Sequence, residues 1–69
     1  MKISARNKLP GKVVEVVKGA TTAHVRIEVG GGQVITASIT NEAVEELKLQ
    51  VGQHAYAVIK ASDVMIAVD

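Results

Sequence analysis

Between Thr22 and Val29 the side chains alternate without a miss: Ala23, Val25, Ile27 and Val29 point one way, His24, Arg26 and Glu28 the other. A period of two is the mark of a strand with one buried face. Such a strand cannot stand alone, because it needs partner strands and something to cover its apolar side. Gly30-Gly31-Gly32 follows directly and has to turn the chain, since three glycines neither pack nor hold an extended strand. A small antiparallel β domain is the architecture that satisfies both.

The remaining segments sort around that strand. Ile3 to Ala5 reads as a short strand or arm, and Asn7 to Gly11 as an irregular turn closed by Pro10-Gly11. Lys12 to Val17 is a strand with apolar residues on both faces, and Lys18-Gly19-Ala20-Thr21 is its hairpin connection to Thr22. Gln33 to Ile39 is the third long strand. Thr40 then offers an N-cap hydroxyl and Glu42 a first-turn carboxylate for a short helix running to about Leu47, with Val44 and Leu47 facing a core. Val51-Gly52-Gln53 breaks that helix. His54 to Lys60 and Val64 to Val68 are the last strands, joined by Ala61-Ser62-Asp63. The expected fold is therefore all-β: a five-stranded OB-type barrel with one short helix between strands three and four, in a single domain over residues 1–69.

Size adds a second constraint. A chain of 69 residues buries only about 60% of the surface its unfolded form exposes. Ordering costs roughly 1.5 kcal/mol per residue, so one small core barely balances it. There is no cysteine, which removes disulfides, thiolate metal sites and thiol catalysis together. Two histidines without clustered carboxylates make a poor metal core. Twelve Val and six Ile carry the apolar load, Phe and Trp are absent, and Tyr56 is the sole aromatic. Val13, Val14, Val16 and Val17, and again Val64 to Val68, put apolar groups on both faces of their strands, which a lone barrel would leave exposed. Burial against further copies of the chain is the expected remedy.

Charge excludes other classes. Eight basic against seven acidic residues leave a net charge of +1, too even for a protein held to nucleic acid by counterion release. An OB-type nucleic-acid binder is the alternative reading, but it wants a basic groove and several aromatic platforms. A purely structural oligomerisation module is a third. No apolar run approaches the roughly 18 residues of a membrane span, and no signal-peptide pattern opens the chain, so a cytoplasmic protein is expected. Asp63 and Asp69 lie at a turn and at the terminus, no G-x-S-x-G pattern is present, and nothing assembles a nucleophile with a base. An enzyme is not expected.

Two polar constellations remain. Ser4-Ala5-Arg6-Asn7 sets small hydrogen-bonding residues around one Arg, and Lys60-Ala61-Ser62 sets a cation beside a hydroxyl at a bend. Each alone is ordinary turn chemistry. Together they offer Arg, Lys, hydroxyls and free backbone N–H groups, a set suited to a fully ionised tetrahedral oxyanion. Lys18-Gly19-Ala20-Thr21-Thr22 is a further donor-rich turn.

In order along the chain, Ser4-Ala5-Arg6-Asn7, a turn such as Pro10-Gly11, Lys18-Gly19, Ile39-Thr40 ahead of a helix and Lys60-Ala61-Ser62 resemble the molbindin (Mop) family over essentially the whole of Ile3 to Val68. The resemblance implies a cytoplasmic binder of molybdate and tungstate, without a covalent cofactor, assembled as a hexamer of three dimers with its oxyanion sites between subunits. One kind of site would take Ser4 and Arg6 from one chain and Lys60, Ala61 and Ser62 from another. A second kind, near a threefold axis, is placed at Gly19, Ala20 and Thr22 on loop chemistry. Arg6 would act through its guanidinium fork or its backbone N–H. Nucleic acid and membrane are not implied as partners.

Overall fold

The alternating stretch becomes strand β2, Thr22–Gly30, in a computed structural model that describes all 69 residues. Its inward side chains Ala23, Val25 and Ile27 are buried, and its outward ones are exposed. Strand β1 (Asn7–Lys18) lies on one side and β3 (Gln33–Thr40) on the other, and β4 (His54–Ile59) pairs with the far edge of β1. The sheet order is β3-β2-β1-β4, antiparallel throughout. Gly30, Gly31 and Gly32 all have positive φ, and this left-handed run links β2 to β3 as the three glycines demand. Val13 from β1, Val44 from the helix and Ala57 from β4 complete the core on the inner face of β2.

The expected turn at Asn7–Gly11 is instead the first part of β1. Pro-Gly reads as a turn because proline lacks an N–H and glycine lacks a side chain, yet here each property serves a strand. β1 pairs with β4 from Asn7↔Ile59 onward, whereas β2 reaches β1 only from Lys12↔Glu28. Pro10 therefore sits where one side of β1 has no partner, which is where a strand tolerates proline. At Gly11 the backbones of β1 and β2 converge: a Cβ there would lie 2.7 Å from Ile27 Cγ2 and closer still to the Glu28 carbonyl oxygen.

A register shift between Val13 and Glu15 explains the apolar residues on both faces of β1. The bulge sends Val13 and Val16 inward and leaves Val14 and Val17 outside, 43% and 52% exposed. Helix α1 (Asn41–Glu46) is capped as expected, with Thr40 Oγ1 accepting from the Ala43 N–H at 3.0 Å. Val44 is buried, but Leu47 is not a core residue: it is 62% exposed as the helix C-cap. Positive φ at Lys48 turns the chain back, the Leu49 N–H reaches the Val44 carbonyl, and Leu49 packs against the core in its place.

The sheet has four strands and is open, in place of the five-stranded barrel. Val64 to Val68 forms no strand. After a single 3-10 turn at Ala61–Asp63 the chain returns to neither free sheet edge, and Met65, Ile66 and Val68 stand in solvent. Tyr56, the sole aromatic, is also mostly exposed. Between the β3 and β4 sides lies an apolar cleft of about 600 Å³ whose lining includes Ile35, Ile39, Leu47, Leu49 and Ile59. No helix is long and apolar enough to cross a membrane.

Candidate anion-binding site

Strand pairing decides where the two polar motifs go. Because Asn7 pairs with Ile59, the residues just before β1 must lie beside those just after β4. Asn7 Nδ2 donates to the Ile59 carbonyl at 3.2 Å and fixes that corner. Ser4, Ala5 and Arg6 thus face Lys60, Ala61 and Ser62 across one open hollow of about 660 Å³. All five residues expected at the first kind of site line it, and both motifs come from a single chain.

The 3-10 turn sets the donors. The two carbonyls at its start are engaged internally, with the Asp63 N–H donating to the Lys60 carbonyl at 2.9 Å and the Val64 N–H to the Ala61 carbonyl at 3.2 Å. No turn or loop backbone bond takes the N–H of Ala61 or Ser62, the opening groups of that turn. The two ion pairs of the chain are Lys18–Glu45 and Arg26–Glu15, so Arg6 and Lys60 have no carboxylate within 4.0 Å. Two unpaired cations, two hydroxyls and free N–H groups make a hollow that attracts anions. Sequence reasoning missed Asp63, whose carboxylate belongs to the same lining, together with the apolar Ile3 and Val58. Asp63 directly follows Ser62, and that adjacency was the available signal. Its negative charge opposes that of an anion in the hollow. No three His, Cys, Asp or Glu side chains gather as they would around a metal ion.

Gly19, Ala20 and Thr22 lie at the opposite end of the 12-residue β1, and the structure does not bring them to this hollow. They form an exposed turn between β1 and β2 that leans on α1. The Gly19 N–H donates to the Thr22 carbonyl at 2.7 Å, and the Asn41 N–H to the Thr21 carbonyl at 2.9 Å. Asn41 Nδ2 donates to the carbonyls of Gly19 at 3.0 Å and Ala20 at 3.4 Å. Lys18 Nζ is held by Glu45 Oε1 at 3.1 Å. Sequence reasoning counted Lys18 as a donor of this turn and did not see Asn41, which is nineteen positions beyond Thr22 and reaches the turn only through the fold.

The TOBE domain family model matches residues 3–66. The chain is similar to a probable molybdenum-pterin-binding protein of Haemophilus influenzae, with 52% identity over 69 residues that cover all of both chains. Among solved structures, a molybdate-binding protein from Sporomusa ovata superposes with a TM-score of 0.92 at 37% identity, covering 99% of this chain and 100% of that one. The cytoplasmic molybdate-binding protein ModG, in a form with molybdate bound, gives a TM-score of 0.89 at 48% identity, covering 94% of this chain and 46% of that one.

Proposed function

Because this chain belongs to the TOBE-domain family, as a molbindin-type protein, we propose that it binds molybdate, and tungstate with it, in the hollow between Ser4-Ala5-Arg6 and Lys60-Ala61-Ser62. The observation that carries this reading is the convergence of both donor motifs on one hollow whose cations are unpaired. Molybdate is a dianion at neutral pH and accepts from every side. Phosphate keeps a proton in part of its population and needs an acceptor for it, at a cost of ~1–3 kcal/mol where none is met; Asp63 is the one carboxylate of the lining that offers one. Sulfate carries the same charge on a smaller ion, and its exclusion rests on size. Lys60 supplies a mobile point charge, and Arg6 a planar fork or its backbone N–H.

The role proposed is storage and homeostasis of the anion in the cytoplasm, without catalysis. Assembly is proposed as a hexamer of three dimers; because one chain already brings Ser4, Arg6, Lys60, Ala61 and Ser62 to a single hollow, in place of the expected sharing of the two motifs between chains, a neighbouring chain would close that hollow without supplying either motif. The exposed apolar residues at Val64 to Val68 and the uncovered cleft beside β3 and β4 support association of several copies. Gly19, Ala20 and Thr22 are proposed as a second, independent kind of site. Tyr56 alone gives no row of stacking platforms, which leaves the nucleic-acid alternative without support.

Calorimetric titration of the oligomer with molybdate, tungstate, sulfate and a single-stranded oligonucleotide tests the reading. Molybdate and tungstate should bind with Kd values of about 1 μM or tighter, near −8 kcal/mol, with sulfate much weaker and the oligonucleotide silent. Equal binding of sulfate and molybdate would overturn the size argument, and no molybdate binding would overturn the function.

A further inference from the structure

A short turn ordinarily shows an approaching anion as many carbonyl oxygens as N–H groups, and the oxygens repel it. The turn between β1 and β2 differs. Four consecutive carbonyls, from Gly19 to Thr22, are all engaged within the protein: those of Gly19 and Ala20 by Asn41 Nδ2, that of Thr21 by the Asn41 N–H, and that of Thr22 by the Gly19 N–H. Three of the four bonds come from one residue. The N–H groups of Ala20 and Thr21 meet no backbone acceptor among the turn and loop bonds and no side-chain acceptor. The turn is tight enough that a Cβ at Gly19 would lie 2.9 Å from the Thr22 carbonyl oxygen.

We propose that Asn41 is the positioning residue of the second oxyanion site: by drawing the carbonyls of Gly19, Ala20 and Thr21 onto α1, it leaves the turn presenting N–H donors alone. The proposal rests on the reading of Gly19, Ala20 and Thr22 as such a site. The orientation of the amide follows from its surroundings, since the reverse would set Oδ1 against two carbonyl oxygens. Oδ1 is itself buried without a partner, so the donor end is the one in use. Asn41 does not touch the anion. It acts on the turn, much as a nest of successive N–H groups must be held open by something behind it.

The first site lies at the far end of β1, so the two can be separated by mutation. Lys60→Ala weakens the first site about thirtyfold, so the tight molybdate binding that remains reports on the turn. In that background Asn41→Ala should lower the residual affinity about tenfold, the loss expected when a donor set is disordered. Asn41→Asp, which keeps the size and loses the donor, should lower it at least as far. In protein that retains Lys60, neither change should alter the affinity of the first site, a split that general loss of stability would not produce.

Amide resonances of the unaltered protein give a second readout that needs no variant to fold. Saturation with molybdate should shift the Ala20 and Thr21 N–H signals downfield and leave the Asn41 side-chain NH₂ signals in place. Movement of those NH₂ signals would make Asn41 a ligand and overturn the positioning role. Residual binding indifferent to Asn41→Ala would overturn the proposal while the second site stands. No tight residual binding in Lys60→Ala, with Ala20 and Thr21 unmoved, would remove the second site and the proposal with it.

Discussion

Val25, midway along β2, is 2% exposed, and Val68, near the end of the chain, is 91% exposed. The two segments around them are built from the same branched aliphatic residues. What separates them is partners. β2 has a strand on each side and Val44 of α1 above its inner face, whereas Val64 to Val68 has neither a neighbouring strand nor a cover. At ~25 cal/mol per Å² of apolar surface, the second segment holds back stabilisation that the first has already collected. An aliphatic run left in water, on a chain that also carries an open apolar cleft, fits the proposed assembly of several copies, and the comparison turns on whether the tail is covered in it.

The largest effect should come from placing a charge in each region. Val25→Asp buries a carboxylate with no partner and should unfold the chain, at a cost of several kcal/mol. Ile66→Asp should leave the secondary structure intact, because Ile66 is exposed in the single chain. It should instead lower the oligomer mass. Circular dichroism reads the first outcome and light scattering the second. An Ile66→Asp protein of unchanged mass would break the comparison, since the tail would then be surface of no consequence.

The same contrast governs how far the sequence could be read. β2 was legible because its alternation, a local signal, agrees with its tertiary surroundings. Thr40 was legible for the same reason: a cap hydroxyl and its N–H are three residues apart. Asn7–Gly11 misled because Pro10 and Gly11 are suited to that strand only by where β2 begins to pair and by how close Glu28 comes, and both are long-range facts. The tail misled in the opposite sense. Its composition is that of a strand, but composition does not say which edge, or whose, it joins. The first candidate site was legible as two motifs, while their meeting depended on the Asn7↔Ile59 register. Asp63 stands outside both motifs because a carboxylate repels the anion that their donors attract.

Lys60 to Asp63 is the joint between the buried and exposed regions, which makes the site a probe of both. Lys60→Ala removes an unpaired cation from the hollow and should weaken molybdate binding by about 2 kcal/mol, the order expected for a charge-assisted hydrogen bond in a partly desolvated site. Stability should hardly change, because Lys60 makes no ion pair. Calorimetry beside thermal melting separates the two quantities. A loss of melting temperature with unchanged affinity would show that Lys60 serves the joint and not the anion.

The smallest effect is the most discriminating. Val→Thr swaps one methyl for a hydroxyl at nearly constant shape, so it adds a polar group and little else. At Val25 that hydroxyl would be buried without a planned partner and should cost about 1–2 kcal/mol at any protein concentration. At Val68 the hydroxyl meets water in the single chain and should cost nothing there. If the tail is covered by another copy, however, Val68→Thr desolvates the hydroxyl on association. Its cost then appears only where the oligomer is populated, as a melting temperature that falls below the unaltered protein's at high concentration and matches it at low. The measurement is a pair of melting curves across a wide dilution series. A concentration-independent loss at Val68 equal to that at Val25 would mean that the tail is buried within its own chain, and the two regions would no longer differ.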